Sequence, residues 1–115
     1  MYGTLRRGER NASLLAECDC LREVRTAPQY TLYSLGSHPG LGEHGTTAVI
    51  GEVYAVDSPT LARLDALEDH PHWYERKAIA LADGSSVEGY VLPERFTAGL
   101  PVIADGDWVR YRRLS

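Results

Sequence analysis

Tyr74-Glu75-Arg76-Lys77-Ala78-Ile79-Ala80-Leu81, then Ala82-Asp83-Gly84-Ser85-Ser86, then Val87-Glu88-Gly89-Tyr90-Val91-Leu92: these nineteen consecutive residues read as a β-hairpin. The first block alternates as a half-buried strand does, Asp83-Gly84 supplies hairpin-turn chemistry, and the last block returns antiparallel to the first. Upstream, Thr46 to Val56 is β-branched and aromatic, which predicts a long strand, with Gly51 marking a bulge or a close backbone approach. Ser58 and Pro59 read as N-cap and first residue of a helix running through Glu68. Tyr30 to Leu35 is another strand, and Gly36, Pro39, Gly40, Gly42 and Gly45 after it predict a mobile loop. At the N-terminus, Met1 to Leu5 predicts a very short strand and Arg6 to Arg10 a polar turn. Asn11 then caps a helix over 12–20, whose Leu14, Leu15, Cys18 and Leu21 share one face. The tail from Thr97 ends in an amphipathic piece around Trp108. Strands outnumber helices and connections are short, so the expected fold is one α+β domain over 1–115, on a mixed or antiparallel sheet. Closure into a small barrel would remove its exposed edges.

The chain has 115 residues, 43 % hydrophobic and 24 % charged, as an ordinary globular domain does and a disordered chain does not. Twelve Lys and Arg against sixteen Asp and Glu leave a formal charge of −4. That balance offers no broad basic field for nucleic acid or an anionic membrane, and favours small-molecule or protein partners. The apolar runs fall far short of the roughly twenty residues that span a bilayer, and no signal-peptide pattern opens the chain, so a cytoplasmic location is expected. Two cysteines, Cys18 and Cys20, build no disulfide framework. Joined with His70 and His72 they would be a zinc set, but one intervening residue is tighter than structural zinc pairs use, so no metal is expected.

Glu68 departs from what a bland helix would carry. With Leu61 at zero on a helical wheel, Leu64 falls near 300° and Glu68 near 340°, so a carboxylate sits between two leucines, while Asp65 at about 40° lies at the rim. Desolvation raises the pKa of such a group, and so does a place in the last turn, beside the negative end of the helix dipole. A carboxyl moved toward neutrality suits a general acid/base, which must both take and return a proton. The competing reading has the helix fray and Glu68 turn to solvent. A second departure is Tyr2-Gly3-Thr4-Leu5 ahead of Arg6-Arg7-Gly8, where a strand turns toward a helix. Successive backbone N–H groups at such a turn make an anion-binding concavity, and a glycine lets a carboxylate come close.

The run Tyr2-Gly3-Thr4-Leu5-Arg6-Arg7-Gly8, with Asn11 and Leu14-Leu15, resembles the opening signature of the γ-glutamylcyclotransferase-like superfamily, most of all its γ-glutamylamine cyclotransferase branch. Leu64-Asp65-Ala66-Leu67-Glu68, with Pro71, Tyr74 and Arg76, is similar to that family's second signature. Gly51-Glu52-Val53-Tyr54 and Gly106-Asp107-Trp108 match in order as well. The resemblance implies a small mixed β-barrel with flanking helices and a pocket for a γ-glutamyl group. It implies that Glu68 is the catalytic acid/base, that backbone amides of Gly3, Thr4 and Leu5 hold the substrate's α-carboxylate, and that Tyr2 and Tyr74 line the pocket. The implied reaction releases 5-oxoproline and a free amine from a γ-glutamyl amide, with no cofactor. The amine could be small, a lysine side chain or, as a minor case, part of a carrier protein. A different class, a non-catalytic module that senses a γ-glutamyl or amino-acid ligand, would have no need of Glu68.

Overall fold

The computed structural model describes Tyr2, residues 19–68, His70 and residues 72–114; the side chains of residues 19–21, 113 and 114 are outside that description. Among the described residues six strands and two helices follow in order: β1 Asp19–Arg25, β2 Tyr30–Ser34, β3 Pro39–Thr47, β4 Ile50–Ala55, α1 Ser58–Leu67, β5 Glu75–Ala80, β6 Ser86–Val91 and α2 Trp108–Leu114. A 3₁₀ turn at Glu94–Phe96 precedes the tail. The result is a small α+β fold, mostly strands. The strands pair as three antiparallel ladders, β1 with β4, β2 with β3 and β5 with β6. Among the described residues no ring of strands closes; the ladders are joined by isolated bridges and the backbone hydrogen bonds beside them. Thr26 bridges Leu81, Leu92 N–H donates to the Leu41 carbonyl at 2.7 Å, and the 101–103 segment runs beside β2 through the Tyr33–Val102 bridge.

The hairpin forms as its turn chemistry dictates. Asp83 Oδ1 accepts from Ser85 N–H at 2.9 Å, and the register runs from Ala80 opposite Ser86 back to Glu75 opposite Val91. The helix starts one residue earlier than expected. Asp57 is the N-cap, its Oδ1 accepting from Thr60 N–H at 2.8 Å, which leaves Ser58 and Pro59 inside the first turn. An Asp ahead of Ser-Pro offers the same capping oxygen and wins the position.

Three other expectations are corrected. The segment after Leu35 is largely a strand: Pro39, Gly40, Leu41 and Gly42 pair with Ser34, Tyr33, Leu32 and Thr31. A Cβ on Gly40 would lie 2.7 Å from Leu92 Cδ2, so this glycine serves close packing and not mobility. The Thr46–Val56 run is broken at Ala48-Val49 into the end of β3 and the start of β4, while Gly51 pairs regularly with Val24. The irregularity in that ladder sits on the other strand, between Cys20 and Arg22. Finally, the helix expected over 12–20 lies outside the described residues up to position 18, and Asp19 and Cys20 are strand. Pairing with β4 recruits the polar run of β1, which has little strand character of its own.

Two apolar clusters fill the interior. The larger one joins Tyr30, Leu32, Leu41, Val49, Ile79, Val91 and Ile103 with Trp108, which anchors α2. The smaller one, Leu64, Tyr74, Tyr90 and Leu92, seats α1 against the hairpin. Glu68 stands at the border of this second cluster.

Candidate active site

α1 ends at Leu67, and Glu68 is its C-cap, with φ −86° and ψ 1° and its N–H donating to the Leu64 carbonyl at 3.0 Å. The chain then turns back: His70 N–H donates to the Asp65 carbonyl at 2.9 Å and Tyr74 N–H to the Glu68 carbonyl at 3.2 Å. Both backbone groups of Glu68 are therefore engaged, and the fraying alternative does not apply. Leu64, one turn back on the same side, is fully buried, while Leu67 is exposed. Burial pushes the Glu68 carboxyl up to about 7. At that value the group is half ionised near neutrality and can accept or release a proton with little driving force either way.

Two phenols share its surroundings. Tyr74 opens the segment into β5, is 3 % exposed, and donates to the Pro39 carbonyl at 2.8 Å. Tyr2 donates to the Tyr90 carbonyl at 2.8 Å and accepts from Leu41 N–H at 3.3 Å, tying the N-terminal segment to β6 and β3. Burial raises the pKa of both phenols, and each is raised further by the nearby Glu68 charge. The fold thus brings Glu68, Tyr2 and Tyr74 within electrostatic reach of one another. Both phenols stay protonated at neutral pH and spend that proton on a backbone carbonyl, so neither is a base. Gly3, Thr4 and Leu5 lie outside the described residues.

Sequence reasoning missed the polar support under the helix end. Asp65 lies at the rim, as the wheel places it, but it is paired there: Arg76 Nη1 meets its Oδ1 at 3.0 Å and Oδ2 at 2.8 Å, and the Tyr90 hydroxyl donates to Oδ1 as well. The hairpin register carried the signal, because it sets Arg76 directly opposite Tyr90. Residues of the same face then meet the helix together. Beyond Tyr74, Trp73 stacks on Phe96 with ring centres 4.6 Å apart, and the Arg95 guanidinium covers Phe96. A separate cleft lined by Tyr33, Gly42, Glu43, His44, Leu92, Glu94 and Thr97 includes none of the expected site residues. Among the described residues no group of three His, Cys, Asp or Glu side chains could hold a metal ion, and no helix is long and apolar enough to cross a membrane. Cys18 lies outside the described residues and the Cys20 side chain is not described.

Residues 1–110 match the family described as "Gamma-glutamyl cyclotransferase, AIG2-like". The chain belongs to the gamma-glutamylcyclotransferase family. Over 109 residues it is 44 % identical to a Vibrio cholerae protein that carries the gamma-glutamylcyclotransferase name provisionally, covering 94 % of this chain and 91 % of that one. It is 38 % identical over 109 residues to the gamma-glutamylcyclotransferase family protein YtfP of Escherichia coli K12, covering 95 % and 93 %. Among solved structures, c4763, a uropathogenic E. coli-specific protein, superposes with a TM-score of 0.85 at 32 % identity, over 97 % of this chain and 91 % of that one. Membership of this family supports cyclotransferase activity as the general class.

Proposed function

We propose that the protein is a cyclotransferase of the γ-glutamylamine type, which releases 5-oxoproline and a free amine from a γ-glutamyl amide. The observation that carries this reading is the half-buried Glu68 carboxyl, which desolvation raises to about 7 where the end of α1 meets Tyr74. In the reaction the substrate's α-ammonium gives a proton to ionised Glu68, and the freed amine attacks the γ-carbonyl to form the five-membered ring. The C–N bond to the leaving amine breaks as Glu68 returns the proton to that nitrogen, and the second proton, shed by the ring nitrogen as the lactam forms, ends on the released amine as its ammonium. One carboxyl serves both transfers, so no cofactor or metal enters the balance. Backbone amides of Gly3, Thr4 and Leu5 are assigned to the α-carboxylate, and Tyr2 and Tyr74 to the pocket wall. Holding amine and carbonyl in near-attack geometry contributes several kcal/mol in intramolecular reactions of this kind. A small γ-glutamyl amide is the preferred substrate over one on a carrier protein, and the cytoplasm is the assigned compartment.

The decisive experiment runs the reaction in ¹⁸O-labelled water over a panel of γ-glutamyl amines. Ring closure uses the substrate's own nitrogen, so 5-oxoproline should form without label. Labelled glutamate as the main product would make the protein an amidase and overturn the proposal. A substrate acetylated on its α-amine keeps the amide but has lost the nucleophile, and should bind without turnover.

A further inference from the structure

A carboxyl at a helix end faces a mechanical problem. Buried and partly charged, it gains free energy by swinging outward to water, unless the backbone beneath it is held. Arg76 bonds two side chains of that segment, one on either side of Glu68. From β5 its guanidinium reaches both oxygens of Asp65, three residues before Glu68, at 3.0 and 2.8 Å. Its backbone N–H donates to His70 Nδ1, two residues after Glu68, at 3.1 Å. His70 N–H returns to the Asp65 carbonyl at 2.9 Å, which closes the circuit around residues 65–70. The Tyr90 hydroxyl, from the neighbouring strand, takes the remaining approach to Asp65 Oδ1. On its outer side, among the described residues, the guanidinium meets exposed Glu88 at 3.9 Å. The arginine is three-quarters buried and its firm contacts point to the helix end, unlike the exposed pairs elsewhere on the surface.

We infer that Arg76 is a positioning residue for Glu68: its guanidinium through Asp65, and its backbone through His70, hold these two residues on either side of Glu68 and fix where the Glu68 carboxyl points. The inference rests on the reading of Glu68 as the acid/base, and deepens it. Asp65 and Tyr90 complete the clamp without touching the reacting atoms. The Nδ1 of His70 accepts a hydrogen bond, which assigns its proton to Nε2 in the neutral ring.

The test uses Arg76→Gln, Arg76→Lys and Asp65→Asn, each read by NMR titration of the Glu68 side-chain carbon and by steady-state kinetics. Loosening the turn should let water reach the carboxyl, so in Arg76→Gln its midpoint should fall from about 7 by about one unit. Turnover should drop roughly 10- to 100-fold, as for an ångström-scale misplacement, with KM changed less than about threefold. Arg76→Lys retains a cationic donor toward Asp65 and should recover part of both losses. A Glu68 midpoint unchanged in Arg76→Gln overturns the inference even if the variant melts lower, since a purely structural clamp would do only that. Should Arg76→Gln fail to fold, Asp65→Asn keeps the shape and the Tyr90 contact, and the same titration decides. The titration needs no substrate. Loss of the cyclotransferase reading, through labelled glutamate or no 5-oxoproline from any amide, is therefore distinguishable from failure of the clamp.

Discussion

Replacing Glu68 with Gln should make the protein more stable and less active, and the gain in stability should depend on pH in a way that only a buried, titrating carboxyl produces. The carboxyl stands at about 7 in the folded protein against 4.5 for an ordinary glutamate. At about 1.36 kcal/mol per unit, that gap makes the ionised form roughly 3 kcal/mol less welcome in the folded state than in the unfolded chain. Because the folded state binds this proton more tightly, the penalty is absent below pH 4.5, grows as pH rises, and is complete above about 7. Gln never ionises. Burying its amide adds an offset, but that offset is the same at every pH and cancels when two pH values are compared. Unfolding by urea should therefore show the variant gaining about 2 to 3 kcal/mol more, relative to wild type, at pH 8 than at pH 5. In thermal melts this corresponds to about 10 °C of extra separation at the higher pH. Turnover in the same variant should fall by roughly 10² to 10⁴, the range for a lost acid/base. A stability difference that is flat between pH 5 and pH 8 would refute the burial argument, whatever happens to activity.

Two further outcomes follow from the same geometry. Since the ionised carboxyl takes the first proton, kcat/KM should rise with pH along a limb centred near 7; a limb near 4.5 would place the working Glu68 in water. Gly106→Ala puts a side chain at φ +68°, with its Cβ 2.4 Å from the Ala48 carbonyl oxygen, in the loop whose own carbonyl accepts from Ile50 N–H. A loss of at least about 2 kcal/mol in urea unfolding is expected, and a loss below about 0.5 kcal/mol would show that the loop shifts freely.

What could be read in the sequence divides by how local the cause is. The hairpin is legible because Asp83 and Gly84 act within four residues of each other, and α1 is legible because its cap, its proline and Leu64 lie on one continuous element. The cap sits one residue before the expected Ser58 because Asp57 and Ser58 offer the same chemistry. β3 was hidden for the opposite reason. Gly40 looks like a breaker until Leu92, fifty-two residues away, is known to press on it. β1 shows little strand character because its order comes from pairing with Ile50–Ala55.

The site divides the same way. That Glu68 should titrate near neutrality is visible on the wheel, since its neighbour Leu64 belongs to the same helix. That it should also be held is invisible there, because a wheel treats the helix as isolated and shows Asp65 at the rim without the strand residues that bind it. The two properties have to be met by different residues. Apolar groups that lower the dielectric around a carboxyl offer no hydrogen bonds to restrain it. A cation placed directly on the carboxyl would restrain it but pull its pKa back down, undoing the feature that makes it useful. Setting Arg76 on Asp65, one turn away on the helix, fixes the backbone without placing the guanidinium on the Glu68 carboxyl. The raised proton affinity and the fixed position can then coexist.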